Sequence, residues 1–444
     1  MSAVRPGMVD VVRVHPSTLG GSVAVPGDKS LSHRALLLGT LVGEAVEVSG
    51  LADSGDVQAT AAALRLMGAQ VDLEVRDGDV AGTVCGGLRE PDDVIDCGNS
   101  GTSLRLLAGV AAGIDGVSVL TGDGSLRGRP VDRVRDPLQA MGARLTARGG
   151  RLPPLVVEGG ALRPVEWHSP VASAQVKSCV LLAGLRASGT TTVVSPAPSR
   201  DHTERMLGHL GQPVERTVDA AAETVRLTPT GMIPAPVRVA RDPSSAAFWL
   251  VAAAIGEQPI TTPGVCVNPG RVGFVDVLES MGATVASGDL REDSGEPVAD
   301  LTVNPGNLRG AQVSGAAVVA ALDELPVLSL AGLRSDTGLE VLDAQELRVK
   351  ESDRIRTLVA ALGALGVEIE ERPDGYRVPG GQTPQGGVVH AHGDHRIAMT
   401  AAIAATISTG PVEITGFASV ASSYPTFLDD LRALGGRVEV VAHT

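Results

Sequence analysis

The chain has 444 residues, of which 43% are hydrophobic but only 2% aromatic, and its formal net charge at pH 7 is −14. This length is sufficient for two domains with aliphatic cores. The negative charge and the scarcity of aromatic side chains argue against a nucleic-acid partner, because nucleic acids favour basic surfaces and aromatic stacking. A small anionic ligand would need a local cluster of basic residues.

The sequence contains no signal for a metal site or a membrane segment. The four cysteines lie far apart, without CxxC or Cys/His ligand spacing, so we expect no metal and no disulfide. The first residues have no apolar signal core, and the longest apolar region, 315–333, is interrupted by charged residues and a proline. We therefore expect a cytoplasmic protein without a membrane partner or a cofactor.

The first segment of interest is 26–34, which follows a short apolar run predicted as a strand at 23–25. Asp28, Ser30 and Ser32 are candidate caps for the helix that begins at this turn. Free N–H groups at the helix start and the cationic side chains of Lys29 and Arg34 favour a bound phosphate or carboxylate.

Lysine usage singles out the same position. The printed sequence has only three lysines among 37 basic residues, namely Lys29, Lys177 and Lys350. Either a remaining lysine supplies a compact ammonium group that arginine cannot replace, or it is there by chance.

A weak internal repeat runs along the chain. In each copy, two apolar positions precede a glycine, and another apolar position follows it. This pattern predicts a helix that ends at a glycine in the left-handed conformation, followed by a strand. The marker residues are Gly68, Gly142, Gly211, Gly282, Gly366 and Gly435. This spacing predicts six βαβαββ units, three in each half, although the same pattern also occurs by coincidence after unrelated helices.

The first unit illustrates the predicted order of elements. Its predicted elements are strand 23–25, helix 30–42, strand 45–49, helix 54–67 and strands 70–75 and 80–84. The two halves should meet near 234–242, where prolines interrupt the pattern. An apolar strand at 9–14 precedes the first unit, and the sequence allows it to pair with either lobe.

Four further segments place polar or basic side chains at turns or helix starts. These are the glycine-rich turn 96–105, the loop 124–130 with Arg129, the helix start 171–178 with Ser173 as candidate cap, and 199–204 with Arg200. Backbone N–H groups and arginine forks of this kind bind phosphate or carboxylate. Each segment taken alone is also explained as an ordinary turn, loop or cap.

Three sites in the C-terminal half carry charged side chains beside apolar sequence. Asp323 lies between apolar runs, so we expect desolvation to raise its proton affinity, although a helix-capping aspartate is the alternative. On a continuous helix, Lys350 and Arg354 would share one face, with Glu351 beside them, as in an exposed salt-bridged helix. Arg396, at a helix start, is a candidate anion contact.

Together these motifs resemble the 5-enolpyruvylshikimate-3-phosphate (EPSP) synthase family. The matches are Gly-Asp-Lys-Ser-Leu-Ser-His-Arg at 27–34, Gly-Asn-Ser-Gly-Thr at 98–102, Arg-Pro at 129–130, Ser-Ala-Gln-Val-Lys-Ser at 173–178, Arg-Asp-His-Thr-Glu at 200–204, Leu-Arg-Val-Lys-Glu-Ser-Asp-Arg at 347–354 and Gly-Asp-His-Arg-Ile-Ala-Met at 393–399. The Ala-Gln-Val-Lys pattern is similar to the family's second class.

The resemblance implies a two-lobed α/β fold of six βαβαββ units, with residues 23–240 in the N-terminal lobe and residues 1–22 plus 241–444 in the C-terminal lobe. It implies transfer of the enolpyruvyl group of phosphoenolpyruvate to the 5-hydroxyl of shikimate 3-phosphate in the cleft between the lobes, with release of phosphate. The family resemblance also favours a monomer with small-molecule partners.

Residue roles follow from the matching motif positions. The resemblance implies that Asp323, Glu351 and Lys29 are catalytic. The residues implied for shikimate 3-phosphate are Lys29, Ser30, Arg34, Ser173, Ala174, Gln175, Arg200, Asp323 and Lys350. Those implied for phosphoenolpyruvate are Lys29, Gly101, Arg129, Gln175, Arg354 and Arg396.

Some positions depart from the family pattern. Many members carry a lysine a few residues before the C-terminal aromatic–proline pair, whereas 421–425 has none. The nearest alternative is UDP-N-acetylglucosamine enolpyruvyl transferase, but that family has asparagine and a reactive cysteine where Ser30 and Gly124 stand here. A non-catalytic scaffold built from the repeats is a second alternative.

Overall fold

The computed structural model describes residues 9–76, 79–219 and 222–441. Helices and strands alternate along the chain. The elements of the N-terminal half are β1 (Val11–His15), β2 (Gly21–Ser22), α1 (Lys29–Val42), β3 (Val46–Leu51), α2 (Gly55–Leu66), β4 (Gln70–Arg76), β5 (Asp79–Cys85), β6 (Ile95–Asp96), α3 (Gly101–Ala112), β7 (Gly116–Thr121), α4 (Asp132–Ala140), β8 (Arg144–Arg148), β9 (Leu152–Gly159), β10 (Glu166–His168), α5 (Ala174–Gly184), β11 (Thr191–Ser195), α6 (His202–His209), β12 (Val214–Val218), β13 (Glu223–Leu227) and β14 (Val237–Arg238).

The C-terminal half continues in the same manner. Its elements are α7 (Pro243–Ile255), β15 (Ile260–Cys266), α8 (Gly273–Ser280), β16 (Thr284–Asp293), β17 (Glu296–Asn304), β18 (Ala311–Val313), α9 (Ala316–Ala321), α10 (Leu325–Arg334), β19 (Leu339–Val341), α11 (Arg354–Gly363), β20 (Glu370–Arg372), β21 (Gly375–Val378), β22 (Gly387–His390), α12 (His395–Thr406), β23 (Val412–Thr415), α13 (Phe427–Ala433) and β24 (Arg437–Val440). Short 3₁₀ helices occupy Leu126–Gly128, Gln345–Val349 and Phe417–Ser422.

The repeat predicted from the marker glycines is confirmed. All six glycines have positive φ, from 73° at Gly366 to 109° at Gly142. Each lies within three residues of a helix end and before a strand. Glycine adopts this left-handed conformation without a Cβ clash, so it ends the helix and redirects the chain into the strand.

The described strands form six sheets of four, and all six have one arrangement. In the second unit, for example, β6 is parallel to β7, and β9 is antiparallel to both β7 and β8. The other five sheets repeat this order of one parallel and two antiparallel pairings. The predicted mixed α/β class with six units is therefore confirmed.

The strand predicted at 23–25 is wrong. The strand instead lies at β2, which pairs in parallel with β15 in the fourth unit. In the sheet of the first unit, the parallel neighbour of β3 is β14, a strand from the end of the N-terminal half. Similarly, β1 lies between β23 and β24, where the last strand of a unit lies in the other sheets. Long-range pairing, which local sequence does not encode, decides these positions.

Two separate cores divide the molecule into two lobes. The N-terminal lobe has a core formed within residues 31–240, joined by Cys266 and Val298. The core of the C-terminal lobe is formed by residues within 12–25 and 246–434. Both cores are largely aliphatic, as the composition predicts.

The chain crosses between the lobes twice, at 26–28 and 240–242. The two crossings are hydrogen-bonded, with Asp28 N donating to Ala240 O at 2.8 Å and Asp242 N to Pro26 O at 2.9 Å. The buried Arg271 Nη2 donates to both aspartate side chains at 2.8 Å. The N-termini of α1 and α7 are thereby fixed at the junction. Within the described ranges, no helix is long and apolar enough to cross a membrane.

Candidate active site

A cavity of about 990 Å³ lies between the two lobes. It is lined by twelve of the fourteen site residues predicted from the sequence. These are Lys29, Ser30, Gly101, Arg129, Ser173, Gln175, Arg200, Asp323, Lys350, Glu351, Arg354 and Arg396. Residues that are up to 367 positions apart in the sequence thus share one cavity.

Helix starts from both lobes form the cavity wall. Asp28 accepts a hydrogen bond from Leu31 N at 2.8 Å and caps α1, so the helix begins at Lys29. Ser173 caps α5 in the same manner, as predicted, and Asp394 caps α12. Because helix N-termini carry free N–H groups and a partial positive charge, this arrangement favours anionic ligands.

Lys29 is held by a carboxylate of its own lobe. Its Nζ donates to Asp56 Oδ2 at 2.8 Å. Desolvation lowers the pKa of Lys29, but the Asp56 carboxylate outweighs that effect, and the pKa stands above its usual value. The ammonium group therefore carries its proton at neutral pH.

Asp323 lies in the turn between α9 and α10 and faces cations from both lobes. Its Oδ2 is 3.2 Å from Arg200 Nη2, and its Oδ1 is 3.2 Å from Arg354 Nη1. Desolvation acts to raise the pKa of Asp323, but Arg396, Lys350 and the two contacting arginines bring it well below the usual value. The expected rise in proton affinity is therefore wrong, because the local sequence does not reveal the surrounding cations.

The charged run 347–356 is not one helix. A 3₁₀ helix ends at Val349, and α11 begins only at Arg354, so Lys350 and Glu351 lie in the turn between them. The predicted helical face that joins Lys350 and Arg354 is therefore wrong. The Asp353 side chain accepts from Arg356 N and caps α11, which explains why the helix starts late.

The turn places Glu351 among basic groups. Its carboxylate contacts the Arg354 guanidinium and lies 3.7 Å from Arg129 Nη1 of the other lobe. Desolvation acts to raise the pKa of Glu351, but the guanidinium groups of Arg354 and Arg129 bring it well below the usual value. Glu351 is thus ionised in the ligand-free site.

Arg354 and Arg396 begin two helices of the C-terminal wall. Arg354 is 1% exposed, and its Nε donates to Asp394 Oδ2 at 2.9 Å. Arg396 Nη1 donates to the backbone oxygen of Asp323 at 2.9 Å. Both guanidinium groups are therefore fixed before any ligand binds.

The N-terminal wall holds its arginines through amide side chains. Arg129 Nη2 donates to Asn99 Oδ1 at 2.8 Å. Arg105 Nη1 donates to Gln175 Oε1 at 2.9 Å, and Gln175 Nε2 donates to Thr102 at 3.0 Å. Neutral partners of this kind leave the positive charge of an arginine available to a ligand.

Gly101 has a steric role at the same wall. A Cβ added to this glycine would lie 2.7 Å from Arg105 Nη1, closer than such atoms approach. The absence of a side chain therefore lets Arg105 reach Gln175.

Two predicted residues do not line the cavity. Ala174 belongs to the first turn of α5 but is not part of the wall. Arg34 is 3% exposed and donates to Thr203 Oγ1, Ser178 Oγ and Ser30 O at 2.8–2.9 Å. Burial lowers the pKa of Arg34 to about 10. In this structure its guanidinium group links α1 to neighbouring segments rather than facing the cavity.

The cavity wall is basic although the protein is acidic. Twelve arginine or lysine residues line it, against six aspartate or glutamate residues. Burial lowers the pKa of His395, which also lines the wall, to about 3, so this side chain adds no charge at neutral pH. The local basic cluster that an anionic ligand requires is therefore present. In the described part of the chain, no group of three or more His, Cys, Asp or Glu side chains could hold a metal ion.

Comparison with known proteins identifies the family of the chain. The family model for EPSP synthase (3-phosphoshikimate 1-carboxyvinyltransferase) matches residues 14–431. The 3-phosphoshikimate 1-carboxyvinyltransferase of Roseiflexus castenholzii is 46% identical over 428 residues, covering 95% of this chain and 98% of that protein. The protein of that name from Anaeromyxobacter sp. (strain K) is 48% identical and covers 94% of each chain. The chain belongs to the EPSP synthase family.

Solved structures of EPSP synthase and of a more distant relative share the fold. EPSP synthase from Acinetobacter baumannii superimposes with a TM-score of 0.87 at 36% identity, covering 98% of this chain and 100% of that chain. The enolpyruvyl transferase NikO from Streptomyces tendae gives a TM-score of 0.76 at 19% identity, with the same coverage, which is a likeness of fold alone. The two-lobed fold predicted from the motifs is confirmed, and the UDP-N-acetylglucosamine alternative is not favoured.

Sequence reasoning missed several partners of the EPSP synthase motif residues. Asp56 and Arg271 contact residues 27 and 243 positions away, so no local signal could have found them. Arg105 follows Gly101 by four positions on α3, and this one-turn spacing could have indicated it. No residue of 417–425 lines the cavity, so the missing lysine of that segment has no replacement there.

Proposed function

We propose that this protein transfers the enolpyruvyl group of phosphoenolpyruvate to the 5-hydroxyl of shikimate 3-phosphate and releases phosphate. This is the 3-phosphoshikimate 1-carboxyvinyltransferase reaction of the shikimate pathway. The observation that carries the proposal is the single cavity in which Lys29, Asp323 and Glu351 meet a net excess of basic side chains. Both substrates are anions, so they require such a wall.

Shikimate 3-phosphate would bind mainly against the N-terminal lobe. Lys29, Ser30, Ser173, Gln175 and Arg200 are proposed to hold its phosphate and hydroxyl groups. Their common position on the wall supports this assignment. Arg34 and Ala174 would contribute from behind these residues, and Asp323 and Lys350 would reach the 5-hydroxyl from the other lobe.

Phosphoenolpyruvate would bind next to Lys29, between arginines of both lobes. Arg129 and Gln175 would contact it from the N-terminal lobe, together with backbone groups at Gly101. Arg354 and Arg396 would contact it from the C-terminal lobe. Arginine suits this role because two parallel N–H groups match the oxygens of a carboxylate or phosphate.

The proton transfers follow from the charge states of the ligand-free site. Asp323 is ionised and would accept the proton of the 5-hydroxyl as its oxygen attacks C2 of phosphoenolpyruvate. Lys29 carries a proton and lies in the electrostatic field of Glu351. We assign the delivery of a proton to the methylene carbon, and its later removal, to Glu351 and Lys29 together. The first steps form a tetrahedral intermediate, and proton removal then expels phosphate and restores the double bond.

Closed lobes would hold these groups together around the substrates. We assign the described residues of 28–240 to one moving lobe and residues 9–25 plus 243–441 to the other, because Val23 and Val25 pack in the C-terminal core and not in the N-terminal lobe expected from the sequence. The arginine–carboxylate contacts across the cleft, 3.2 Å for Arg200 with Asp323 and 3.7 Å for Arg129 with Glu351, support this assignment. Because one chain supplies both walls, we propose a monomer, and we place it in the cytoplasm. Light scattering after size-exclusion chromatography tests the monomer.

A phosphate-release assay tests the reaction. Purified protein is incubated with phosphoenolpyruvate and either shikimate 3-phosphate or UDP-N-acetylglucosamine. We expect phosphate release only with shikimate 3-phosphate. Release only with the sugar nucleotide would overturn the choice of acceptor. Release with neither acceptor, from folded protein, would favour the non-catalytic scaffold.

A further inference from the structure

Lys177 is the one lysine of the chain that does not line the cavity. It is 1% exposed, and its Nζ lies 2.6 Å from Glu204 Oε1 and 3.0 Å from Glu223 Oε2. The same Nζ donates to Ser199 O at 3.4 Å. A buried charge is costly unless it is paired, so this cluster needs an explanation beyond simple packing.

Glu223 connects the cluster to the loop that carries Arg200. It is fully buried, and its Oε2 accepts from Ser199 N at 3.2 Å and from Ser199 Oγ at 3.3 Å. Its Oε1 accepts from Arg216 Nε at 2.8 Å. The residue directly before Arg200 is therefore bound through its backbone N–H, its carbonyl and its hydroxyl.

The residue directly after Arg200 is bound as firmly. Asp201 Oδ1 accepts from Arg205 Nε at 2.9 Å and from Asn268 Nδ2 of the C-terminal lobe at 2.7 Å. Arg216 Nη1 lies 3.5 Å from Asp201 Oδ2, so one guanidinium group links Glu223 and Asp201. Both neighbours of Arg200 are thus fixed by one ionic network, while Arg200 itself faces the cavity.

We propose that Lys177 and Glu223 are positioning residues for Arg200 in the binding of shikimate 3-phosphate. The inference rests on the proposed function, which gives Arg200 its ligand. Arg200 lies in the connection between β11 and α6, outside any strand ladder, so its backbone direction depends on these side-chain contacts. A guanidinium group that is already in place loses less conformational freedom when the ligand binds, and affinity rises accordingly.

Calorimetric titration with shikimate 3-phosphate tests this proposal. We expect Glu223→Gln to weaken the affinity roughly tenfold, since the charge that holds Ser199 and Lys177 is lost. The KM for phosphoenolpyruvate should change by less than about twofold, because Arg129, Arg354 and Arg396 are untouched. Glu215→Gln, which removes an exposed charge from β12 of the same hairpin, is the matched control and should bind like wild type.

A double-mutant cycle separates positioning from general damage. In an Arg200→Ala background, Glu223→Gln should cost less than about twofold in further affinity, because its effect passes through Arg200. A full tenfold loss in that background would overturn the proposal. If Glu223→Gln lowers the midpoint of thermal unfolding so far that titration fails, Ser199→Ala removes one contact and spares the buried charges. We expect that variant to lose roughly two- to threefold in affinity, and no loss would overturn the proposal.

The same experiments separate this inference from the proposed function. Failure of the wild type to bind shikimate 3-phosphate and to release phosphate would overturn the proposed reaction and this inference with it. Equal affinity of wild type and folded Glu223→Gln, with normal phosphate release, would overturn this inference alone.

Discussion

The two walls of the cavity differ in how they hold their cations. On the N-terminal wall, Arg129 and Arg105 donate to the neutral side chains of Asn99 and Gln175, whereas Lys29 pairs with Asp56, a carboxylate of its own lobe. On the C-terminal wall, one arginine contacts three carboxylates, those of Asp323, Glu351 and Asp394. The first wall has positive charge to offer to anions, whereas the second holds ionised carboxylates that can accept protons.

This difference links binding to catalysis. Arg200 and Arg129 of the N-terminal wall lie 3.2 and 3.7 Å from Asp323 and Glu351 of the C-terminal wall. Substrate phosphate and carboxylate groups would compete with these two carboxylates for the same guanidinium groups. Cationic side chains depress the pKa of both carboxyl groups, Arg396 most strongly for Asp323 and Arg354 most strongly for Glu351, with Arg200 and Arg129 among the further contributors, so neutralisation of these cations by substrate should raise it. The two carboxylates are therefore ionised, and on the proposed function bound substrate would raise their proton affinity.

The largest expected effect is loss of the base on the C-terminal wall. Asp323→Ala should lower kcat by roughly 10²- to 10⁴-fold, the usual contribution of a general base. Phosphate release with saturating phosphoenolpyruvate and shikimate 3-phosphate measures it, with circular dichroism as the check on folding. The matched control is Asp276→Ala, an exposed aspartate on α8 of the same lobe. Near-wild-type turnover in folded Asp323→Ala would remove Asp323 from the mechanism.

The second-largest effect is expected at Lys29, which pairs with Asp56 on the N-terminal wall. Lys29→Arg keeps the positive charge but should lower kcat at least about 100-fold, because the planar guanidinium fork does not fit the contact of the compact ammonium group with Asp56, and it gives up a proton far less readily than an ammonium group does. The same phosphate-release assay measures this loss. Full activity of Lys29→Arg would indicate that the lysine at this position is present by chance. Arg144→Lys, an exchange on exposed β8, is the control for arginine–lysine substitution as such.

Local sequence patterns predicted the helix ends and helix caps that shape the cavity walls. The six marker glycines and the caps Asp28 and Ser173 are local signals, and the structure agrees with them. Pairings across the chain were not foreseeable in this way. The strand predicted at 23–25 failed because β2 and β14 complete sheets in opposite lobes.

The charge states of the site lay equally beyond local sequence. The apolar neighbours of Asp323 predicted desolvation, which is indeed the largest single influence on its pKa, but four cations from distant segments reverse the result. Similarly, the run around Lys350 had the spacing of an exposed helix, and only the Asp353 cap revealed where that helix begins. The sequence motifs include most of the residues that line the cavity, whereas the protonation of these residues depends on charges that the fold brings close.

Two single arginine variants sharpen the division of the N-terminal wall between the two substrates. Arg129→Gln should raise the KM for phosphoenolpyruvate roughly tenfold or more and leave the affinity for shikimate 3-phosphate within about twofold, since a charged hydrogen bond is lost at one subsite. Arg200→Gln should give the reverse pattern. Steady-state kinetics with each substrate varied in turn, together with calorimetry, measures both effects. An equal rise for both substrates in either variant would contradict separate subsites.

The smallest expected effect concerns stability and compares one buried histidine from each lobe. His33 on α1 and His395 at the start of α12 are both buried, and desolvation lowers the pKa of each to about 3 from the usual 6.5. As pH falls below 6.5, the unfolded chain takes up these protons and the folded protein does not. The stability present above pH 6.5 should therefore be lost progressively toward pH 3, by about 1.4 kcal/mol per pH unit for each histidine.

Urea unfolding of wild type and variants at pH 6.0, 5.5 and 5.0 isolates each histidine, because carboxyl groups with raised pKa, such as Glu324, contribute equally to the proteins compared. His33→Asn should reduce the pH dependence of the unfolding free energy by about one proton, and His395→Asn by the same amount in the other lobe. His168→Asn, at an exposed position on β10, is the control for the histidine–asparagine substitution as such. If only one of the variants His33→Asn and His395→Asn altered the pH dependence of the unfolding free energy, only one lobe would be destabilised at low pH through its buried neutral histidine.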